Sequence, residues 1–470
     1  MGIEGDDIFY ISKFLRQWQI DRDLSIASTV ALRQVLVNTY IFLYEALGQS
    51  QQVLHAFFSA LWAVSGILCY VALRRSFSNS AAIISAVFFL VYSGKYEVLG
   101  WTSAGLHILV LCLLLLMIIV VQSENTPFGI KMMLVSALYW VSLLYYEIIM
   151  PLAPLPLLWW LFIRKRNVFS WTEGGFSTLP LVVTAAHLFI LSTAAKPIWE
   201  RSGEISIYNI LQFIPGTLVK TLDAAFGYRH MQLLRDSWSS YSYVVRTAID
   251  LSLAITLIVL VCLSIFLAFG LTRTDAKRTK SLEWLTFSLW LVFMAPAVTS
   301  PLVMGMPFTP SRLTYLPSLG AAIIVAVVVD RFRGKLVRSM FAVWILIEAV
   351  ALHSILYQYA TTTVFDDRLR SKISQFGITF SPGDHVIVRT APNPYIYNVW
   401  LTVPSKIDNG GQILVLVDND YLLPASLTIP MHQLLTYSRE RYDDDRGSAD
   451  YIFVEHEDGR LCWEGNDVCK

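Results

Sequence analysis

Long apolar runs alternate with short polar stretches along most of this chain. A helix needs about 20 apolar residues to cross a bilayer, and roughly ten such runs can be recognised. They lie near residues 53–73, 80–98, 105–121, 130–147, 150–163, 175–194, 248–271, 283–300, 314–330 and 339–357. Because each run is continuously apolar rather than alternating with a period of two, the pattern predicts transmembrane helices.

The tail after about residue 360 has a different pattern. Short β-rich runs at 385–389, 399–403, 412–417 and 451–455 are separated by Pro, Gly, Asn and Asp, which is typical of a small domain containing a sheet. The predicted fold is therefore mainly α: a polytopic transmembrane helical bundle of about 10–11 spans with a small C-terminal extracytoplasmic α/β or β-rich domain.

Three segments follow from this division of the chain. Residues 1–52 form an outer-loop segment with an acidic pair and a juxtamembrane helix, residues 53–360 form the transmembrane domain, and residues 361–470 form the C-terminal domain.

Composition agrees with a membrane protein. Hydrophobic residues make up 55% of the 470 positions and charged residues 15%, and the mean hydropathy is +0.54, which excludes an ordinary soluble globular domain. The net charge is +1 and no basic block is present, so nucleic acid is not an expected partner. The phosphate-binding and hydrolase signatures of soluble enzymes are also absent, which disfavours an ATP-driven pump.

Basic residues indicate the orientation of the bundle. They cluster at every second junction between runs: at 74–75, 164–166, 273–280 and 331–338. The positive-inside rule assigns these junctions to the cytoplasm. The opposite junctions, and the tail after about residue 361, are then expected outside.

The segment 29–47 has two interpretations. It is apolar but carries Arg33, Asn38 and Glu45. Either it spans the membrane and leaves residues 1–28 in the cytoplasm, or it lies along the outer interface as an amphipathic helix. We prefer the second, because a charge at the bilayer centre costs about 2.5–3.5 kcal/mol. It puts Asp6 and Asp7 outside, and a first membrane helix is then expected before this chain.

The five cysteines fall into two groups. Cys69, Cys112 and Cys262 lie inside apolar runs and are expected to be small core residues. Cys462 and Cys469 lie in the polar tail, where they either form a disulfide or remain two free thiols. No Cys or His spacing indicates a metal site, and no metal cofactor is implied.

Asp6 and Asp7 are the first candidates for chemistry. Two adjacent carboxylates hinder each other's ionisation, which suits one of them to accept a proton from a hydroxyl. The alternative is a solvated acidic surface near the amino end.

Glu147 lies between two apolar runs, where an ionisable residue is expensive and points to a function. Otherwise it is a helix-end carboxylate that reaches water. Pro151, Pro154 and Pro156 follow it, and they predict a break in the helical path that lines a polar cavity.

Two further outer junctions carry charged and aromatic residues. Lys95, Glu97, Trp101 and His107 form either an interfacial turn or, through Lys95, a phosphate contact. Arg312 precedes Tyr315 at the start of another run, and its guanidinium can bind phosphate oxygens in two-point geometry or simply snorkel to the interface.

The order of these motifs resembles that of the GT-C superfamily of polytopic glycosyltransferases, especially bacterial relatives of the protein O-mannosyltransferases. The matching elements, in chain order, are Asp6-Asp7, Arg33-Gln34-Val35-Leu36, Leu54-His55, Glu97 with Trp101, Tyr146-Glu147, Arg312 with Tyr315-Leu316-Pro317-Ser318 and Gly320, and Gly383-Asp384-His385-Val386 through Tyr397. This chain has Gln34 where the family has proline, lacks the lysine before Glu147, and has Gly105 and His107 where the family has Arg and Asp.

The resemblance implies an inverting transfer of a sugar from a polyprenyl-phosphate donor to a hydroxyl of a protein, lipid or glycan acceptor, outside a bacterial inner membrane. Asp7, helped or replaced by Asp6, is then the general base, and Arg312 and Lys95 stabilise the departing phosphate. The residues expected to bind substrate are Arg33, His55, Lys95, Glu97, Trp101, His107, Glu147, Arg312 and Tyr315.

Two other classes of function remain open. A transporter or flippase of a lipid-linked saccharide would use a similar cavity without breaking a bond. An assembly protein without catalytic activity would use its tail to bind partners. Neither inverted repeats nor paired interrupted helices are recognisable in the sequence.

Overall fold

The computed structural model is mostly helical, with a small sheet at the C-terminal end. The residues that it describes are 35, 39–40, 42–43, 46–48, 51–92, 98–99, 105–145, 147–158, 171–194, 283–292, 315–332, 334–378, 385–390, 401–403, 412–417, 451–456, 458–464 and 468–469.

Ten helices can be delimited in this part of the chain, together with a 3-10 helix at Glu147–Leu152. They are α1 (Gln51–Arg74), α2 (Asn79–Val91), α3 (Leu106–Val121), α4 (Phe128–Tyr145), α5 (Leu155–Leu158), α6 (Trp171–Ser177), α7 (Leu179–Ala194), α8 (residues 283–292), α9 (Tyr315–Arg331) and α10 (Lys335–Ser374).

Helix α2 lies at the centre of the packed helices. It packs against α1, α9 and α10, while α3 packs against α1 and α4, and α7 packs against α4. Aromatic pairs hold α2 on both sides: Phe89 lies 5.1 Å from Trp62 of α1 and Phe88 lies 4.7 Å from Trp344 of α10, measured between ring centroids. Close packing of these large aromatic side chains contributes to the association of α2 with its neighbours.

Three junctions meet at one end of this bundle. Arg75 Nη1 donates to the carbonyl oxygen of Ile119, 2.7 Å away, near the end of α3. Gln122 Nε2 donates to the carbonyl oxygen of Ala72 at 3.1 Å, near the end of α1. The Ser78 backbone N–H, just before α2, donates to Asp330 Oδ1 at 3.0 Å. Each bond satisfies a backbone group that a helix end leaves open.

We call this end the basic end, because it carries Arg74, Arg75, Arg331 and Lys335. The sequence pattern assigned the junctions at 74–75 and 331–338 to a common side, and the Ser78–Asp330 bond joins these two junctions directly. Helices α2 and α10 both begin here and therefore run in the same direction.

Two of the described helices are long and apolar enough to cross a membrane, judged by length and composition: Val53–Arg74 and Phe128–Tyr145. Shorter apolar helices lie at Asn79–Val91, Leu106–Val121 and Leu179–Phe189. In the most apolar windows of the two long helices, 39% and 33% of the residues are buried inside the protein. The other residues of these windows are at least partly exposed.

The segment after α4 is not a continuous helix. Predicted as an apolar run over 150–163, it forms the 3-10 helix Glu147–Leu152 and the single turn α5 in its described part. Pro151, Pro154 and Pro156 remove backbone donors and clash with a regular helix, so the break that they predicted is confirmed.

Helix α10 is the longest described element. At about 1.5 Å per residue its length is about 60 Å, twice the hydrocarbon thickness of about 30 Å. It continues without interruption past the predicted domain boundary at residue 360 and ends at Ser374. The last residues of α10 contact the C-terminal sheet: Lys372 Nζ donates to the Gly459 carbonyl oxygen, and the Phe376 ring lies 5.2 Å from that of Phe453. The sheet therefore attaches at the end of α10 far from the basic end.

The sheet contains all four strands that the sequence predicted, in slightly different bounds, and two short ones that it did not. Its strands are β1 (His385–Thr390), β2 (Leu401–Val403), β3 (Gln412–Val417), β4 (Tyr451–Glu455), β5 (Leu461–Trp463) and β6 (Val468–Cys469). The spatial order is β2-β3-β1-β4-β5-β6. Strand β1 is parallel to both β3 and β4, and the other pairs are antiparallel. The parallel strands form the centre, where apolar runs are expected.

The two cysteines of the tail form a disulfide. Cys462 and Cys469 lie directly opposite each other in the β5–β6 pair, and this settles the alternative that the sequence left open. At the preceding turn, the Arg460 guanidinium bonds Asp458 at 2.6 Å and, with the Arg460 backbone N–H, lowers the pKa of that carboxyl. Both side chains are exposed, so this ion pair adds little stability.

Candidate functional site

The residues proposed from the sequence divide into two groups. Asp6, Asp7, Arg33, Lys95, Glu97, Trp101 and Arg312 lie outside the described residues, so their placement stays a prediction. Four others are described at least in part: His55, His107, Tyr315 and the backbone of Glu147, which begins the 3-10 helix.

His107 and Tyr315 lie together, although about 200 residues separate them in the sequence. Their rings are stacked, with centroids 5.4 Å apart and planes inclined by 13°. His107 is in the first turn of α3 and Tyr315 is the first residue of α9. Only 5% of His107 and 0% of Tyr315 is exposed. Two residues chosen separately from the sequence thus form one buried contact.

A glycine lets α1 approach this contact. A Cβ atom added to Gly105 would lie 2.4 Å from the Phe58 ring, closer than two such atoms can approach. Phe58 is buried against the start of α3, just before His107. His55 lies nearly one turn before Phe58 on α1, and its Nε2 atom is buried with no hydrogen-bond partner among the described residues. His55 therefore lies near the same end of the bundle as His107.

The motif that begins with Tyr315 faces inward throughout. Tyr315, Leu316, Pro317, Ser318, Leu319 and Gly320 are all buried. Ser318 Oγ donates to the Tyr315 carbonyl oxygen at 2.7 Å. The proline stands in the first turn of α9, where its missing N–H is tolerated. The motif is thus a packed helix start and not a surface loop.

Helix α10 carries a buried carboxylate that was not among the candidates from the sequence. Glu348 is 1% exposed, and its Oε1 accepts a hydrogen bond of 3.0 Å from Trp344 Nε1. The signal was visible, since Glu348 is the one acidic residue inside the apolar run 339–357. An ionisable residue inside such a run is a candidate for function by default.

Tyr92 occupies on α2 the position that corresponds to that of Glu348 on α10. Phe88 contacts Trp344, and Tyr92 and Glu348 each follow one of these residues by four positions. Because α2 and α10 begin at the same end and pack against each other, Tyr92 and Glu348 lie at the same level. Tyr92 is 1% exposed.

Tyr92, His107, Tyr315, Ser318 and Glu348 together form what we call the buried polar layer. Counted along their helices at about 1.5 Å per residue, all lie about 20–24 Å from the basic end. They come from four helices: α2, α9 and α10, which both pack against α2, and α3, which contacts α9. The layer therefore lies at one end of the bundle, opposite the basic residues.

The side chains of this layer lie at a similar depth and can all take part in hydrogen bonds. Two phenols, an imidazole, a hydroxyl and a carboxylate offer both donors and acceptors of hydrogen bonds. Within the described parts of the chain, no group of three or more His, Cys, Asp or Glu side chains could hold a metal ion. Burial of so many polar groups among apolar helices is costly unless they are paired with each other or with a ligand.

No protein-family model matches the chain, and no curated protein matches it either.

Proposed function

We propose that this protein is a multi-pass membrane glycosyltransferase of the GT-C type, which transfers a sugar from a polyprenyl-phosphate donor to an acceptor hydroxyl on the extracytoplasmic side. The observation that carries the proposal is the burial of the Tyr315–Gly320 motif, whose first ring stacks on His107, at the end of the bundle opposite the basic residues. The Tyr315–Gly320 motif belongs to the motif order on which the family resemblance rests, whereas His107 stands where the family has another residue.

Exposed apolar side chains support a location in a membrane. Four of the described helices each carry three or more large apolar residues that face outward: Val53, Phe57, Val64 and Ile67 on α1; Ile130, Met133, Leu134, Trp140 and Val141 on α4; Val182, Leu188 and Phe189 on α7; Leu336, Met340, Val343, Leu346 and Val350 on α10. Soluble monomers rarely expose continuous apolar patches of this extent. Lipid is the solvent that makes such surfaces stable.

The proposed reaction is a single displacement. The acceptor hydroxyl oxygen attacks the anomeric carbon, the bond from that carbon to the phosphate oxygen breaks, and polyprenyl phosphate leaves with the bonding electrons. Asp7, helped or replaced by Asp6, takes the hydroxyl proton. Arg312 and Lys95 stabilise the charge that develops on the phosphate. One displacement inverts the anomeric configuration.

His107, Tyr315 and His55 are proposed to bind the donor at the mouth of the bundle. Their position near the end opposite the basic residues supports this role, since a carrier lipid presents its phosphate and sugar at the membrane surface. Glu147 is proposed to orient the substrate or to pair with a cationic neighbour.

The direct test is to supply lipid-reconstituted protein with undecaprenyl phosphate that carries a radiolabelled hexose, using glucose, mannose and galactose in turn. We expect release of undecaprenyl phosphate with at least one of them when an envelope extract supplies acceptors. Movement of the intact lipid-linked sugar between leaflets, without release, would identify a transporter instead. Absence of both would leave an assembly protein and refute the enzyme proposal.

A separate experiment tests on which side of the membrane the tail lies. Cys469 is exposed, and its partner is Cys462, so the variant Cys462→Ser should present one accessible thiol. We expect a membrane-impermeant maleimide to label this variant in intact cells without reductant. Both proteins carry Cys262→Ser, because Cys262 lies outside the described residues. The tail with both cysteines should then stay unlabelled, because both its sulfurs are bonded and Cys69 and Cys112 are buried. Labelling of the variant only after lysis would put the tail in the cytoplasm and contradict the proposed orientation.

A further inference from the structure

Helix α10 begins with two basic residues that the proposed sugar transfer does not use. Lys335 is its first residue, and Arg338 stands three positions later. The Arg338 backbone N–H donates to the Gly334 carbonyl oxygen at 3.3 Å, so the helix is formed from this point onward. Residues three apart on a helix are neighbours, with Cβ atoms about 5–6 Å apart. The two cationic side chains therefore start next to each other at the basic end.

This arrangement opposes the electrostatics of the helix. The N-terminal end of a helix carries a partial positive charge, so a cation is unfavourable there and an anion is favourable. The first turn of α10 contains no acidic residue, and its N-cap, Gly334, makes no side-chain hydrogen bond. Like charges one turn apart also repel each other. An anion bound beside Lys335 and Arg338 would remove both penalties.

Within the described part of the chain, neither of these two cations forms an ion pair. Arg338 is half-buried, and its Nε atom has no hydrogen-bond partner. The acidic residue nearest to Lys335 in the sequence is Asp330, and this carboxylate accepts a hydrogen bond from the Ser78 backbone N–H. A guanidinium is well suited to bind the oxygens of a phosphate. The charges at the start of α10 are thus available to an anion from outside the chain.

A row of exposed apolar side chains follows the two cations along α10. Its members are 43–74% exposed and recur every three or four residues, as expected for one side of a helix: Leu336, Met340, Val343, Leu346 and Val350. We call them the apolar row. At about 1.5 Å per residue it is about 20 Å long, enough to cover the hydrocarbon of one leaflet, which is about 15 Å thick. Side chains on a helix tilt toward its N-terminus, so Lys335 and Arg338 extend away from this row toward the membrane surface.

We propose that the start of α10 binds an anionic phospholipid of the leaflet at the basic end. The lipid phosphate lies beside Lys335 and Arg338, and the acyl chains lie along the apolar row. Charge complementarity favours this occupant, since residues 331–338 contain four basic residues and no acidic one. A zwitterionic lipid has its own cation next to the phosphate, and a free phosphate ion has no acyl chain to cover the apolar row. The proposal requires only that α10 lies in a membrane, so it is independent of the proposed sugar transfer.

Native mass spectrometry of the full chain tests this assignment. Phosphatidylglycerol and phosphatidylcholine with identical acyl chains compete for the protein at equal concentration. We expect the first bound lipid to be phosphatidylglycerol about tenfold more often than phosphatidylcholine, because two unpaired cations attract its charge. Arg338→Gln and Lys335→Gln should each lower this preference about fivefold, the effect of one basic residue close to an anionic lipid.

Arg74→Gln is the matched control. Arg74 is also an exposed arginine at the basic end, but it belongs to α1, where the nearest exposed large apolar side chain, Ile67, lies about two turns away. This variant should leave the preference within about twofold of that of the wild type. An equal loss in Arg74→Gln would show a general attraction of the basic end for anionic lipids and would overturn the assignment to α10.

A competition on the wild-type protein covers the case in which the α10 variants do not fold. Inorganic phosphate in large excess should displace little of the bound phosphatidylglycerol, since it gains nothing from the apolar row. Displacement by phosphate would identify a site for free anions and contradict the lipid assignment. Equal binding of phosphatidylglycerol and phosphatidylcholine would also overturn it, because the two cations would then have no effect on the choice of lipid.

Discussion

Replacement of Asp7 by asparagine should lower sugar transfer by about 10²–10⁴-fold, the contribution typical of a general base. Asparagine keeps the size of the side chain but cannot accept the proton of the acceptor hydroxyl. The rate of release of undecaprenyl phosphate from the labelled donor measures the effect in reconstituted protein. Donor affinity should change little, because the proposed donor contacts come from other residues.

Two companion variants are needed to interpret the effect of Asp7→Asn. Asp6→Asn should lower transfer less than Asp7→Asn if Asp7 is the principal base, and more if Asp6 replaces it. Glu124→Gln changes an exposed carboxylate near the basic end in the same way and should leave the rate within about twofold. Transfer at the wild-type rate in a protein that lacks both aspartates would remove the acidic pair from the mechanism.

The second large effect is expected on stability, from Gly320→Val. A Cβ atom at residue 320 would lie 2.8 Å from the backbone carbonyl oxygen of Ser288 and 2.8 Å from Cγ2 of Val292. Helix α9 therefore packs on α8 through the bare backbone of Gly320. A valine forces the two helices apart, at a cost of up to about 3 kcal/mol for overpacking. Thermal unfolding in detergent should show a melting temperature lower by up to about 3 °C, since the unfolding entropy of a chain of this length is large.

Gly175 provides the matched control. It also lies in a helix, α6, but a Cβ atom there would meet nothing within 4 Å. Gly175→Val should therefore leave the melting temperature unchanged or raise it slightly, since valine is a better helix former than glycine. A similar drop for both variants would mean that loss of glycine itself, and not the close approach of α8 and α9, causes the effect.

Much of the secondary structure could be predicted from the sequence. The apolar runs at 53–73, 105–121 and 314–330 correspond within a few residues to α1, α3 and α9. The four β-rich runs of the tail correspond to β1–β4. These predictions succeeded because both patterns are local: a helix shows itself in one continuous run, and a strand in a few β-branched residues between turns.

The strand partners could not be predicted in the same way. Strand β1 pairs in parallel with β3 and β4, which are distant from it in the sequence. Parallel pairing requires a crossover connection, and nothing in a short strand specifies which other strand lies beside it. The sequence left the disulfide undecided for a related reason. Only the pairing of β5 with β6, which places Cys462 opposite Cys469, brings their sulfurs together.

In the candidate site, too, some features could be predicted from the sequence and others depend on the tertiary structure. His107 and Tyr315 could be chosen from their place at the ends of apolar runs, but their stacking depends on α3 and α9 packing at the same end. Glu348 was missed although its sequence signal was plain. The sequence of an apolar run does not show whether a carboxylate in it faces lipid, water or the interior of the bundle. Its burial beside Trp344 distinguishes these cases.

The order of apolar, basic and β-rich segments, read without any structure, determined that this chain is mainly helical, carries a small sheet at its end, and places its basic residues at alternate junctions. Those properties depend on neighbours a few residues away. Only the tertiary structure decided which polar side chains are desolvated together, since the cost of burying a polar group is set by groups from other helices. In this protein those groups lie on α2 and on α9 and α10, which pack against it, and on α3, which contacts α9.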